Sequence, residues 1–232
     1  MDNSDYISIR HKFPNLGLIM SGYKCIIFDS DGVLVDSETL SASVFQGMAR
    51  ELGYELGFES AVERFAGTSM RENLRFIQEN IEGSLPQDFE KEFRQRTYEV
   101  FKTDLKAVEG VHQLIKKLRV PFCVASSGPV EKIRLNLGLV KLLDHFERRI
   151  YSSYDIGKWK PDPGIFLHAA KEMGFAVEEC VVIEDSDSGI RAALAGGFMV
   201  YALASEKRRA HFEQLGAVTF ASMKELEQLL GL

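Results

Sequence analysis

Residues 23–32 read YKCIIFDSDG, an apolar run that ends in two aspartates and a glycine. A short run of this kind is typical of a buried strand in a parallel sheet, and it stops where the polar residues begin. Three similar apolar runs follow, at residues 122–125, 180–183 and 198–203. Helical patterns separate them, at residues 109–118, 163–173 and 188–195. This alternation predicts an α/β fold with a doubly wound, Rossmann-like parallel sheet, in which ligands bind beyond the carboxyl ends of the strands.

Residues 37–103 differ from the rest because they contain helical patterns without an intervening strand signal. We predict that they form an inserted α-helical cap that closes over the crevice and excludes water, and a purely stabilising embellishment is the alternative. The catalytic core then comprises residues 21–36 and 104–232. Residues 1–20 are expected to be a disordered N-terminal extension. Two short hinges are expected, near residues 35–36 and 104–108.

The composition indicates a globular protein and excludes several classes of partner. The 232 residues are 45% apolar, enough for a well-buried core, and the net charge of −6 comes with no basic stripe that could follow a nucleic-acid backbone. No apolar run approaches the roughly 18 residues that span a bilayer, so no membrane partner is expected. The three cysteines lie in strand-like apolar runs without close spacing, which indicates reduced core thiols and a cytoplasmic protein. Nothing in the sequence demands more than a monomer.

The tetrapeptide Asp29-Ser30-Asp31-Gly32 is the most informative segment. Because side chains alternate along a strand, Asp29 and Asp31 can share one side of the strand end while Ser30 faces away. Two neighbouring carboxylates repel each other, so the pair favours either a bound cation or a division of labour between an ionised and a protonated acid. An aspartate can also attack phosphorus as a nucleophile. A plain Asp-Gly turn at the end of a strand is the alternative.

Three later segments end at the same predicted edge of the sheet. The run CVASSG brings Ser126 and Ser127 there, and their hydroxyl and backbone N–H groups can hold phosphate oxygens. Lys160 precedes a helix that opens with proline, so its ammonium group is held where it can neutralise phosphate. The run VVIEDSDSG ends its strand in Glu184 and Asp185, whose oxygens suit Mg²⁺. Since neighbours on a strand point to opposite faces, we favour Asp185 as the direct ligand.

This order of segments resembles the haloacid dehalogenase superfamily, whose motifs are D-x-D-G, a Ser or Thr, a Lys and an acidic pair. Residues 28–38, FDSDGVLVDSE, are similar to its phosphatase and sugar-phosphate mutase branch, which has a helical cap. The resemblance implies a Mg²⁺-dependent phosphatase in which Asp29 is the nucleophile and a metal ligand. It also implies that Asp31 is the general acid and base and lends its backbone carbonyl to the metal. The dehalogenase branch itself lacks this second aspartate.

The later motif residues take their roles from the same resemblance. Ser126 corresponds to the residue that binds phosphate, and Lys160 to the residue that orients it. Asp185 corresponds to the residue that completes the Mg²⁺ site, with Glu184 behind it. The implied substrate is a small phosphorylated metabolite, and no further cofactor is implied.

Two segments point to a substrate class. Residues 154–163, YDIGKWKPDP, resemble those of bacterial 6-phosphogluconate phosphatases, and residues 67–71 match the cap loop that confers specificity in this branch. Thr68 and Arg71 would then meet the non-phosphate end, where a guanidinium suits the carboxylate of a sugar acid; for Arg71 a solvated helix residue is the alternative. A beta-phosphoglucomutase is the alternative enzyme, but that family has a histidine where this chain has Ser41. A catalytically idle phosphate-binding protein is the third hypothesis.

Overall fold

The computed structural model of this protein describes residues 22–65 and 70–232. At its centre lies a sheet of six parallel strands: β1 (Cys25–Phe28), β2 (Phe122–Ser126), β3 (Ile150–Ser152), β4 (Cys180–Glu184), β5 (Met199–Leu203) and β6 (Val218–Phe220). Their order across the sheet is β3-β2-β1-β4-β5-β6. The first strand of the chain therefore lies in the interior, at the point where the strand order reverses. In sheets of this kind that point is where ligands bind.

Helices make up most of the remaining described residues. Five of them lie between β1 and β2: α1 (Glu38–Glu51), α2 (Phe58–Phe65), α3 (Met70–Asn80), α4 (Phe89–Asp104) and α5 (Val111–Lys117). Seven follow β2: α6 (Val130–Leu139), α7 (Leu143–Phe146), α8 (Ser153–Ile156), α9 (Gly164–Met173), α10 (Asp187–Ala195), α11 (Glu206–Leu215) and α12 (Met223–Leu230). Among the helices of these described ranges, none combines the length and the apolar character needed to cross a membrane.

Both faces of the sheet are covered by helices. Along β1, Ile26 and Phe28 belong to one apolar cluster, while Cys25 and Ile27 belong to another, as the alternation of strand side chains requires. The first cluster includes residues of α5, α6 and α12, and the second includes residues of α9, α10 and α11. All three cysteines are free and buried in these strands, as predicted: Cys25, Cys123 and Cys180. The predicted doubly wound α/β fold is confirmed.

Helices α1 to α4 share an apolar cluster of their own. Phe45 lies fully buried within it, and its ring meets those of Phe89 and Phe93 edge to face, at centroid distances of 6.2 and 6.0 Å. The chain enters and leaves these helices side by side, because Val35 forms an antiparallel bridge with Ala107. The separate cluster supports the predicted cap, whose boundaries at residues 37 and 103 stay a prediction.

Several short elements were not predicted from the sequence. The edge strands β3 and β6 have three residues each, too few to show a periodicity. Helix α11 is highly charged and buries Phe212, so its apolar face is narrow. Helices α2, α6 and α12 were also not predicted. The expected N-terminal extension of residues 1–20 lies outside the described residues.

Replacing Phe45 by alanine tests whether the cap helices depend on their own cluster. Deleting a buried phenylalanine ring costs about 3–5 kcal/mol, so Phe45→Ala is expected to lower the free energy of unfolding by that order. Phe58→Ala is the matched control, because the ring of Phe58 on α2 is 43% exposed. It should change the free energy of unfolding by less than about 0.5 kcal/mol. Urea unfolding followed by circular dichroism measures both, and equal losses would contradict a core centred on Phe45.

Candidate active site

The carboxyl end of β1 places Asp29 in a buried position near the middle of the sheet. Its backbone N–H donates to the carbonyl of Ile183 at 2.9 Å, which extends the pairing of β1 with β4 by one residue. Ser30 is buried, and its hydroxyl has no hydrogen-bond partner among the described residues. Gly32 adopts a φ of +82°, a conformation that glycine takes without strain, and it turns the chain away from the strand.

Lys160 is held between two of the acids. Its Nζ donates to Asp29 Oδ1 and to Glu184 Oε1, each at 2.5 Å, and lies 4.8 Å from the centre of the Phe166 ring. Burial opposes the charge of Lys160, but the charges of Asp29 and Glu184 outweigh it and raise the pKa of Lys160 above its ordinary value. Burial also raises the pKa of Asp29 to about 7, against the charge of Lys160, with added contributions from the charges of Glu184 and Asp31. The two predicted residues, nucleophile and lysine, are therefore in direct contact.

Both carboxylate oxygens of Glu184 are engaged by the protein itself. Oε1 accepts from Lys160, and Oε2 accepts from the backbone N–H groups of Asp185 and Ser186 at 2.8 and 2.9 Å. The hydroxyl of Ser186 adds a third donor to Oε2 at 3.0 Å. Gly189 makes this arrangement possible, because a Cβ there would lie 1.7 Å from Oε1. Glu184 thus has the contacts of a residue that orients its neighbours.

Asp29, Glu184 and Asp185 form an acidic cluster with the geometry of a metal site. One carboxylate oxygen of each lies within 4.8 Å of the others. Asp185 packs against Gly32, where a Cβ would lie 2.0 Å from its Oδ2, and none of the described residues donates a hydrogen bond to its carboxylate. Burial, followed by the charges of Glu38, Glu184 and Asp29, raises the pKa of Asp185 well above its ordinary value. Buried carboxylate oxygens that need positive charge fit a hard divalent cation such as Mg²⁺.

Asp31 has donors of its own. Its Oδ1 accepts from the hydroxyl of Ser37 at 2.6 Å and from the side-chain amide of Asn136 at 3.4 Å, and its Oδ2 accepts from Lys132 Nζ at 2.7 Å. Burial acts to raise the pKa of Asp31, but the charge and hydrogen bond of Lys132 and the hydrogen bond of Ser37 outweigh it and lower the pKa. Sequence reasoning missed these three donors. The spacing of Lys132 and Asn136, four residues apart directly after SSGP, was the available signal for a shared helix face.

The remaining predicted site residues, two serines, an arginine and a threonine, are described by their burial and contacts. Ser126 ends β2, the neighbour of β1, and its buried Oγ accepts from the backbone N–H of Gly128 at 3.1 Å. Ser127 follows it and is half-buried. Arg71 is exposed on the first turn of α3, and no hydrogen bond or ion pair joins it to another described residue. Thr68 lies outside the described residues.

Comparisons with known proteins show the family and the fold to which this chain is similar. A family model described as haloacid dehalogenase-like hydrolase matches residues 23–197. A 6-phosphogluconate phosphatase of Escherichia coli (strain K12) is 31% identical over 211 residues, which cover 90% of this chain and 96% of that protein. Among solved structures, a conserved haloacid dehalogenase-like protein of unknown function from Agrobacterium tumefaciens has a TM-score of 0.83 at 32% identity, over 90% of this chain and 98% of that one. A HAD family hydrolase from Deinococcus radiodurans R1 with bound phosphate and sodium has a TM-score of 0.79 at 29% identity, over 91% and 96%.

Gly189→Ala tests the close packing of Glu184 against α10. The added Cβ would lie 1.7 Å from Glu184 Oε1, so the carboxylate and Lys160 must shift. Overpacking of this kind destabilises by about 1–3 kcal/mol. Gly47→Ala is the matched control, because Gly47 is also helical but has nothing within 4 Å of the added atom. Helix propensity alone stabilises such a variant by about 0.5–1 kcal/mol. Free energies of unfolding from urea titrations should therefore move in opposite directions, and a stabilised Gly189→Ala would contradict the observed packing.

Proposed function

This chain belongs to the haloacid dehalogenase-like hydrolase family, and we propose that it is a magnesium-dependent phosphatase that hydrolyses a small phosphorylated metabolite through an aspartyl-phosphate on Asp29. The contact that carries the proposal is Lys160 Nζ at 2.5 Å from both Asp29 and Glu184, beside the buried Asp185. A nucleophilic carboxylate, a fixed ammonium group and spare acidic oxygens are what phosphoryl transfer to an aspartate requires.

In the first half-reaction, a carboxylate oxygen of Asp29 attacks the phosphorus of the ester. The bond from phosphorus to the leaving oxygen breaks, and Asp31 donates a proton to the departing alkoxide. Lys160 is held against the nucleophile, so its positive charge lowers the repulsion between Asp29 and the anionic phosphoryl group. We assign the backbone and hydroxyl groups of Ser126 and Ser127 to the phosphate oxygens, because both residues follow the neighbouring strand β2 at the same edge.

In the second half-reaction, Asp31 accepts a proton from water as the water oxygen attacks the phosphorus of the aspartyl-phosphate. The bond between phosphorus and Asp29 breaks, which regenerates the carboxylate and releases inorganic phosphate. Division of one difficult hydrolysis into two transfers lets one acid–base residue serve both steps. The two aspartates lie at the same strand end, so both can reach one phosphoryl group.

We assign the Mg²⁺ site to the carboxylates of Asp29 and Asp185 and the backbone carbonyl of Asp31. When bound there, the ion supplies positive charge that polarises the phosphoryl group. Glu184 has both oxygens engaged by donors of the protein, which supports a place behind the ligands. The two carboxylates assigned as ligands are buried and close to each other.

The substrate that we favour is a sugar phosphate or sugar-acid phosphate. The similarity over 90% of this chain to a protein named 6-phosphogluconate phosphatase supports this class. We assign Thr68 and Arg71 to the non-phosphate end of the substrate, because the segment from residue 67 to 71 resembles the specificity loop of the branch. Free, buried cysteines suit a reducing compartment, so we place the enzyme in the cytoplasm. We also expect a monomer.

The first test of the function is Asp29→Asn. Loss of the nucleophile should lower phosphate release from p-nitrophenyl phosphate with Mg²⁺ by at least about a thousandfold. Asp144→Asn is the matched control, because Asp144 is an exposed aspartate on α7. It should keep its activity. Removal of the metal with EDTA should abolish turnover, and added Mg²⁺ should restore it.

Product analysis separates the three classes of function. With beta-glucose 1-phosphate, a phosphatase releases inorganic phosphate and glucose, whereas a mutase yields glucose 6-phosphate. The serine at position 41, in place of the mutase histidine, favours release of phosphate. Glucose 6-phosphate as the main product would establish the mutase, and binding of phosphate without turnover of any ester would establish a binding protein.

Arg71→Ala tests the assignment of the distal end. If Arg71 pairs with the carboxylate of a sugar acid, KM for 6-phosphogluconate should rise about tenfold or more, because a charged hydrogen bond contributes about 1.5–3 kcal/mol. KM for p-nitrophenyl phosphate should not change. Arg75→Ala is the matched control one turn further along α3, where Arg75 pairs with Glu79 on the exposed surface. Equal KM values for Arg71→Ala and the unchanged protein across 6-phosphogluconate, phosphoglycolate and beta-glucose 1-phosphate would withdraw the role.

A further inference from the structure

Both carboxylate oxygens of Asp31 accept hydrogen bonds. Lys132 Nζ lies 2.7 Å from Oδ2, while the Ser37 hydroxyl lies 2.6 Å and the Asn136 amide 3.4 Å from Oδ1. Lys132 and Asn136 project from the same face of α6, four residues apart, and α6 begins four residues after β2 ends. The direction of the Asp31 side chain is therefore set by a helix that belongs to another part of the chain.

Two of these donors, Ser37 and Asn136, contact Asp31 and leave another possible hydrogen bond unformed. Ser37 occupies the N-cap position of α1, but its side chain does not cap that helix and donates to Asp31. Asn136 is fully buried, and its Oδ1 has no hydrogen-bond partner among the described residues, although its Nδ2 points to Asp31. Buried polar groups that forgo local satisfaction are expected at functional positions.

The two aspartates pair with different lysines. Lys160 serves Asp29, and Lys132 serves Asp31, so each acid has its own ammonium group. Lys160 is near enough to Asp31 for its charge to act there. Without Lys132, Lys160 is the cation of this pair whose charge still acts on Asp31, and rotation of the Asp31 carboxylate toward it would weaken the contact of Lys160 with Asp29.

We propose that Lys132, supported by Asn136, is a positioning residue that aims the carboxylate of Asp31 at the leaving oxygen of the substrate. The proposal rests on the proposed function, because it concerns the proton transfer assigned to Asp31. A residue that acts through Asp31 affects esters according to how much their leaving groups need a proton. An alkoxide needs protonation as it departs, whereas p-nitrophenolate is stable enough to leave without it.

The test compares Lys132→Met with Lys132→Arg and with Arg134→Met. Arg134 lies on the same helix and forms an exposed ion pair with Glu147, so Arg134→Met is the matched control. Each variant is measured on p-nitrophenyl phosphate and on the alkyl phosphate that the unchanged protein hydrolyses best. Lys132→Met should lower kcat for the alkyl ester about tenfold to a hundredfold with KM nearly unchanged, and lower kcat/KM for p-nitrophenyl phosphate several-fold less. Lys132→Arg should recover part of the loss, and Arg134→Met should match the unchanged protein.

Three results would overturn the positioning role. Equal losses on both esters would show a merely structural effect, and thermal unfolding of each variant checks for it directly. A rise in KM at unchanged kcat would assign Lys132 to substrate binding. Full activity of Lys132→Met would show that Asp31 needs no such support. Phosphate release by the unchanged protein, abolished in Asp29→Asn, establishes the phosphatase independently of these variants, and its absence would overturn both proposals.

Discussion

Burial of several carboxylates at one edge of a sheet is the constraint on which the rest of the structure depends. Asp29, Glu184 and Asp185 are all buried there, and removal of an ionised carboxylate from water is unfavourable by roughly several kcal/mol unless a cation compensates it. The protein supplies one compensating charge directly, since Lys160 contacts both Asp29 and Glu184. The carboxylate of Asp185 has no hydrogen-bond donor among the described residues, and the charge of Arg208 only partly offsets the effect of its burial.

The backbone makes this crowding possible. Strands β1 and β4 are neighbours, and the hydrogen bond from Asp29 N to Ile183 O brings the first acid beside the end of β4. Two glycines then remove the side chains that would collide with the acids. Gly32 leaves room for the carboxylate of Asp185, and Gly189 leaves room for that of Glu184. Strand β2 lies on the other side of β1, so the residues that follow β2 and those that follow β4 flank the end of the central strand.

The sequence allowed the strand ends to be predicted but not the contacts between distant helices. The apolar runs before Asp29, Ser126 and Glu184 are strong local signals, because a buried parallel strand needs apolar side chains on both faces. The placement of Lys160 near the carboxylates was predicted from its position just before a helix that opens with proline. The hydrogen bond of Lys132 with Asp31 joins residues that are 101 positions apart in the sequence. It depends on how α6 packs against the sheet, which no local sequence pattern predicts. The edge strands of three residues were not predicted either, because their pairing with a neighbouring strand defines them more than the periodicity of their own residues does.

The two aspartates of the first strand end have unequal electrostatic surroundings. Burial raises the pKa of Asp29 to about 7, although Lys160 opposes the rise, whereas Lys132 and Ser37 outweigh burial and lower the pKa of Asp31. The nucleophilic role proposed for Asp29 requires its ionised form, which the charge of Lys160 favours. A divalent cation bound at the site proposed for Asp29 and Asp185 would favour the ionised form of every carboxylate that it contacts. Asp185 accepts no hydrogen bond from the described residues, whereas Glu184, one residue before it, has both oxygens occupied, and this difference supports Asp185 as the proposed direct ligand.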